Sequence, residues 1–205
     1  EIINDSAEKY SRITGFVTKI SEGQYRNINY IDLKNYYYAF CTYLIEQGML
    51  GKKIAVITSD ITRPMPTYKV MPILLDELYA AGVAPEDITL VFALGSHRKH
   101  TPDEMKKLAG DRAWNEIKCV DSDPKDCIHL GTTAAGTPVD ITRVVAEADY
   151  RICLGNIEFH YFAGYSGGAK AIMPGVSTRD AIQANHSMMV RPEACAGNIK
   201  NNPIR

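Results

Sequence analysis

Three short, nearly unbroken apolar runs set the frame of this chain. K-I-A-V-I-T at 53–58, D-I-T-L-V-F-A-L at 87–94 and Y-R-I-C-L at 150–154 are too short for buried helices and too continuous for strands with one wet face. They read as strands buried on both sides, as in parallel sheets covered by helices. Between the first two, Met71, Leu74, Leu75, Leu78 and Tyr79 recur at helical spacing. That predicts a helix over 67–81, with Gly82 as terminator and Pro72 early, where a missing N–H costs least. After the second run, Thr101-Pro102-Asp103-Glu104 has proline at the first helical position and an acid at the third, a capping-box pattern for a short helix ending near Gly110.

Further on, 115–120 reads as a third strand, 121–137 as a loop with at most a minor hairpin, 137–142 as a short β piece and 144–148 as a brief helix. Ser177-Thr178-Arg179-Asp180 is a second capping-box pattern, opening a helix on which Ile182, His186 and Met189 share a face. Upstream, 13–20 reads as a small hairpin or edge strand. A helix is expected over 33–47, capped by Asp32, striped by Leu33, Tyr37, Phe40, Cys41, Leu44 and Ile45, and ended by Gly48. The tyrosines at 36–38 read as packing and surface.

Strands alternating with helices predict an α/β fold: a mostly parallel sheet with flanking helices and a site at the carboxyl ends of the strands. Two parts are expected, a β-prone piece plus helix over 1–50 and an α/β cofactor-binding domain over 51–205. Parallel pairing would bring three polar segments to one edge: Asp60/Arg63, His97/Arg98/His100, and Glu158/His160 through Lys170.

Composition narrows the partners. The chain has 205 residues, 45% of them hydrophobic, with a formal net charge of -1, so neither nucleic acid nor an anionic membrane surface is indicated. No apolar run approaches the ~18 residues a membrane span needs. Five cysteines, odd in number and without a Cys-x-x-Cys spacing, read as reduced thiols of a cytoplasmic protein. There is no signal-like segment, and the start at Glu1 and stop at Arg205 read as a piece of a longer chain.

The chemistry concentrates in 156–186. Gly164-x-Ser166-Gly167-Gly168-x-Lys170 combines glycines, a hydroxyl and an amine, which suits a phosphate or cofactor cradle on a helix starting near 168; a tight turn is the plain alternative. The spacing is not that of a Walker A loop. Lys170 is an anion contact, a nucleophile if burial lowers its pKa, or a surface lysine. His97, in a Gly-Ser-His turn after a strand, suits general acid/base work or is a surface histidine. His160, flanked by Phe159 and Tyr161, sits where desolvation lowers a pKa, or is a core histidine. His186 is a metal ligand or a core histidine. His100 and His129 lack company and read as structural or solvent-facing. Asp60 and Arg63, three apart, form either a carboxylate clamp or a turn-stabilising ion pair. His-Glu-x-x-His is absent, so a zinc hydrolase is not indicated.

Taken together and in order, Ser59-Asp60-Ile61-Thr62-Arg63-Pro64, Ala93-Leu94-Gly95-Ser96-His97-Arg98, His160-x-x-Ala163-Gly164-Tyr165-Ser166-Gly167-Gly168-Ala169-Lys170, Pro174-Gly175 and Asn185-His186 resemble the nickel-pincer lactate racemase family, over roughly 50–205. The resemblance implies a racemase or epimerase of a small 2-hydroxy acid, lactate by default. It would work by hydride transfer to and from a lysine-tethered nickel-pincer pyridinium mononucleotide carrying thiocarboxylate and thioamide sulfurs. It implies Lys170 as the tether, His186 as the protein's nickel ligand, and His97 and His160 as acid/base residues on opposite faces of the substrate. Asp60, Gly164, Ser166, Gly167 and Gly168 would belong to the cofactor site. Arg63, oriented by Asp60, would contact substrate. Phe159 stands where the family often has proline, and the family's C-terminal substrate-closing domain is expected to be missing from this chain. From the residues alone, a non-catalytic phosphate- or nucleotide-binding module on the same fold stays open.

Overall fold

The structure, a computed structural model, describes residues 14–21, 24–46, 48, 51–63 and 65–205. It divides into two compact units, Glu1–Met49 with Ala80–Gly82, and Leu50–Tyr79 with Val83–Arg205.

In the first unit, β1 (Thr14–Ser21) and β2 (Gln24–Asn29) form an antiparallel ladder with Thr14 opposite Asn29 and Ser21 opposite Gln24. Helix α1 (Tyr30–Glu46) follows at once, starting before the expected position. Asp32 therefore does not cap it from outside. It lies in the first turn, where its Oδ2 accepts the Asn29 N–H at 3.0 Å, the reach-back half of a capping box. Tyr36 and Tyr38 are exposed. The side chains of the expected apolar stripe, Leu33, Tyr37, Phe40, Cys41, Leu44 and Ile45, lie outside the described residues.

The second unit is built on a four-stranded parallel sheet. Its strands are β3 (Ile54–Ser59), β4 (Ile88–Ala93), β5 (Lys118–Asp121) and, beyond a β6 (Cys127–Thr132)–β7 (Pro138–Thr142) hairpin, β8 (Tyr150–Cys153). Their order is β5-β4-β3-β8. Register is in step throughout: Ile54 lies beside Ile88 and Tyr150, and Ile57 beside Val91 and Cys153. The crossovers are α2 (Thr67–Ala80), then α3 (Pro102–Ala109) with α4 (Asp111–Glu116), then the hairpin with α5 (Arg143–Ala146). Ala55, Ile57 and Val91 gather on one sheet face with Ile141, Val145, Ala148 and Val176. The alternate residues Ile54, Val56, Leu90 and Phe92 are equally buried, as are Met71, Leu75 and Leu78 of α2. Two covered faces explain why β3 and β4 read as continuous apolar runs, each large side chain contributing ~1.5–3 kcal/mol on burial. β8, at the sheet edge, departs from that expectation, with Arg151 and Cys153 exposed.

Several expectations shift locally. Pro72 is the sixth residue of α2, inside the helix rather than in its first turn; its carbonyl accepts the Arg112 guanidinium at 2.9 Å. Thr101 and Glu104 make both bonds of the expected capping box. Gly110 does not end the helical region: at φ 80° it closes α3 and opens α4, and a Cβ there would lie 3.0 Å from Cβ of Tyr68. The 121–137 segment carries a real strand, β6, paired with β7. Near the C-terminus, α6 (Arg179–His186) is capped by Thr178, which accepts the Ala181 N–H at 3.2 Å, so the Ser177/Asp180 box does not form. The Ser177 hydroxyl is spent on the Ile172 carbonyl, and Met189 falls in the 3-10 turn beyond α6. Among the described residues, no helix is long and apolar enough to cross a membrane.

Gly175 locks the segment after the sheet onto β4. Its carbonyl accepts the Gly95 N–H at 2.9 Å and the Ser122 hydroxyl at 3.3 Å. A Cβ at Gly175 would run into the Ala171 carbonyl and the Cβ of Ala93. Gly175→Ala is therefore expected to destabilise the fold by at least ~2 kcal/mol, read as a lowered urea midpoint at unchanged slope.

Candidate active site

The strand order places a switch point between β3 and β8. The chain steps outward from β3 to β4 to β5, then returns to the other side of β3. Open parallel sheets bind ligands in the crevice outside the carboxyl ends at such a point. A cleft of about 220 Å³ lies there. Asp60 and Arg63 line it from the end of β3, His97 from β4, Asn156 from β8, His160, Ser166, Gly167 and Lys170 from the segment beyond, and His186 from α6. Three polar segments far apart in sequence thus meet at one edge.

Asp60 is 4% exposed, and its partner is not Arg63. Its Oδ2 lies 2.7 Å from Nδ1 of His97, and its Oδ1 accepts the Thr62 hydroxyl at 2.7 Å. The expected Asp60–Arg63 clamp is therefore corrected: the turn brings the Arg63 N–H to the Asp60 carbonyl at 3.2 Å, while the carboxylate turns to the histidine 37 residues away. An acceptor at Nδ1 puts the ring proton there and leaves Nε2 with its lone pair. The His97 side chain is 46% exposed, so it meets the cleft rather than the core.

A second aspartate–histidine pair supports this turn. His100, buried, holds Asp121 at 2.6 Å through Nδ1, and its Nε2 accepts the Ile61 N–H at 3.1 Å. The His100 N–H also reaches Asp121, at 2.8 Å. These bonds tie the end of β5 to the residue beside Asp60. His100 thus has company that sequence spacing did not reveal, and so does exposed His129, 2.6 Å from Asp140. His100→Ala is expected to cost about 3 kcal/mol, because it strands a buried carboxylate and an N–H; chemical denaturation measures it.

The segment after β8 folds back as a two-residue ladder, β9 (Phe159–His160) with β10 (Gly164–Tyr165). The Ser166 hydroxyl donates to the Asn156 carbonyl and accepts the Glu158 N–H, both at 2.8 Å, so its main work is to staple two loops. Gly164 and Gly168 do not line the cleft. Gly164 has φ 77° and no room for a Cβ against the Asn198 carbonyl, a packing requirement. At Gly168 a Cβ would meet nothing within 4 Å. The helix expected from 168 is one 3-10 turn, Gly168–Ala171, carrying Lys170.

Phe162 is the hub that sequence reasoning passed over. It is 6% exposed. Its ring stands edge-on to His160 at 4.5 Å and to His186 at 5.0 Å, and the Lys170 ammonium lies 5.8 Å from its centroid. The unbroken His160-Tyr161-Phe162 run was the available signal. Nδ1 of His160 accepts the Ala163 N–H at 3.2 Å, and Tyr161 stacks on the ring at 5.0 Å. Burial, then the cations Lys170 and Arg63, push the His160 pKa down to about 4. Burial, then Arg63 and Arg205, push Lys170 down to about 8. Burial and Lys170 also lower His186. Among the described residues, no three His, Cys, Asp or Glu side chains are grouped to hold a metal by themselves; His186 offers a single imidazole.

Comparison with known proteins shows the family and the fold of the chain. The family described as the lactate racemase N-terminal domain matches residues 41–197. The chain is 38% identical to a lactate racemase of Lactiplantibacillus plantarum over 167 residues, 78% of this chain and 39% of that protein. It is 41% identical to a lactate racemase of Thermoanaerobacterium thermosaccharolyticum over 160 residues, 75% of this chain and 37% of that protein. The structure of the Thermoanaerobacterium thermosaccharolyticum lactate racemase apoprotein superposes with a TM-score of 0.70 at 36% identity, over 78% of this chain and 40% of that one. A Thermotoga maritima protein, at 24% identity and a TM-score of 0.65 over 82% of this chain and 44% of that one, shares the fold. The chain thus spans about two fifths of the curated relatives it matches. It belongs to the lactate racemase family, matching that family's N-terminal domain.

Proposed function

We propose that this chain is the cofactor-bearing part of a 2-hydroxy acid racemase, with lactate the default substrate and a nickel-pincer pyridinium mononucleotide the cofactor. The observation that carries the reading is the shared cleft, where Asp60-held His97 and desolvated His160 accompany a lysine with its pKa near 8. A bare phosphate-binding module has no use for that histidine–carboxylate pair. The residues suit the group. Lys170 has an amine that sheds its proton near neutrality, as a tether requires. His186 offers one nitrogen to a metal whose other donors the organic group brings. When bound, the cofactor supplies a reversible hydride acceptor, which matters because the α-hydrogen of a 2-hydroxy acid is too weakly acidic to leave as a proton.

The chain's own residues then manage the substrate and its proton. Arg63 offers a planar fork to the carboxylate. His97, its Nδ1 proton held by Asp60, accepts the substrate hydroxyl proton at Nε2. His160 is neutral, and with Nδ1 engaged by the Ala163 N–H it carries its hydrogen on Nε2, where it steadies a substrate oxygen. For the opposite enantiomer the two exchange roles. That requires His160 to give up the 3.2 Å Ala163 contact, longer than the 2.7 Å bond at His97. The test uses the full-length protein made alongside the cofactor's synthesis enzymes. A cofactor-sized mass adduct on Lys170, one nickel per chain and lactate racemisation are expected. Absence of all three sinks the reading.

A further inference from the structure

Among the described residues, one buried side-chain nitrogen or oxygen has no hydrogen-bond partner, Nδ2 of Asn156, and Asn156 lines the cleft. An amide left unanswered costs ~1–3 kcal/mol, and folded proteins keep few of them. Local packing accounts for the backbone at 156 but not for the side chain. The Asn156 carbonyl takes the Ser166 hydroxyl at 2.8 Å, and a Cβ on Gly167 would come within 2.8 Å of that same oxygen. Behind it, a Cβ on Gly155 would lie 3.3 Å from Cα of Gly167. Any residue at 156 would keep these contacts, so the fold makes no use of an amide there.

The surroundings indicate what the amide serves. Gly167, at φ 75°, has a backbone N–H without an acceptor among the described residues. Arg63 and Lys170 line the same cleft. Spare N–H donors beside two cations make a setting for an oxyanion. We propose that Asn156 is a ligand-binding residue whose amide donates to a phosphate oxygen of the mononucleotide, with Gly167 as its backbone companion. Nδ2 is covered by its neighbours. A turn about the last side-chain torsion, which is broad and two-fold for asparagine, uncovers it. This inference rests on the cofactor reading above and adds the contact that selects the phosphate.

The test is calorimetric binding to this chain, with nicotinic acid mononucleotide and its phosphate-free riboside as probes. The wild type is expected to bind the mononucleotide more tightly than the riboside. Asn156→Ala is expected to weaken the mononucleotide by about tenfold and leave the riboside unchanged, while Tm without ligand stays level or rises. Asn156→Asp, isosteric but anionic, is expected to weaken it further. Mononucleotide affinities within twofold of wild type in both variants would overturn the proposal, as would equal losses for both probes. A Tm loss beyond about 4 °C in Asn156→Ala would mark a structural residue instead. Failure of the wild type to bind the mononucleotide would overturn the cofactor reading first and this one with it.

Discussion

Asp60→Asn in a full-length, cofactor-loaded racemase is expected to lower kcat by about 10²–10⁴ with little change in KM. The substitution preserves shape and leaves an oxygen for the Thr62 hydroxyl, now 2.7 Å from Oδ1. It puts an NH₂ where Oδ2 meets Nδ1 of His97 at 2.7 Å. Nδ1 then accepts instead of donating, the ring proton moves to Nε2, and the base loses its lone pair. Histidine nitrogen NMR on this chain gives a readout independent of turnover: wild-type His97 is expected as the Nδ1–H tautomer and the variant as Nε2–H. A kcat within threefold of wild type, with the tautomer unchanged, would remove His97 from the role of base.

The same pair shows where sequence reading stops. β3 and β4 were legible because burial on both faces leaves continuous apolar runs, whereas β8 is an edge strand with Arg151 and Cys153 exposed, and its apolar residues alone marked it. The three polar segments were legible because parallel strands send their carboxyl ends to one edge. The partner of Asp60 was not. Spacing pointed to Arg63, three residues on, whereas the carboxylate bonds across the sheet to His97. His100 escaped for the same reason, its partners Ile61 and Asp121 being 39 and 21 residues away. The glycine cluster read as one cradle, yet its members do different work: Gly164 makes room for a neighbouring carbonyl while Gly167 faces the cleft. Ser177 read as the cap of a box with Asp180, yet its hydroxyl goes to the Ile172 carbonyl and Thr178 caps the helix instead. Local pattern fixed the elements; nonlocal hydrogen bonds fixed the roles.

Lys170 is expected to be the most reactive lysine of the chain near neutral pH, and Lys170→Arg to abolish both adduct and racemisation. Burial disfavours the ammonium, and Arg63 and Arg205 repel it, so the free amine appears as pH rises through about 8. At pH 7.5 about a quarter of such a group is unprotonated, against about 0.1% of an ordinary lysine with a pKa near 10.4. Brief treatment with an acylating reagent at that pH, followed by peptide mass mapping, is expected to mark Lys170 at least tenfold above the other lysines. The pH profile carries the sign: labelling at 170 climbs between pH 6.5 and 8.5 and levels off by about 9, while ordinary lysines keep climbing. Arginine at 170 keeps a cation near the Phe162 ring but never sheds its proton in this range. An anion contact would survive that change, whereas a covalent tether would not. Full activity in Lys170→Arg, or labelling at 170 that tracks the other lysines, would show that the amine is held as a charge and not as a nucleophile.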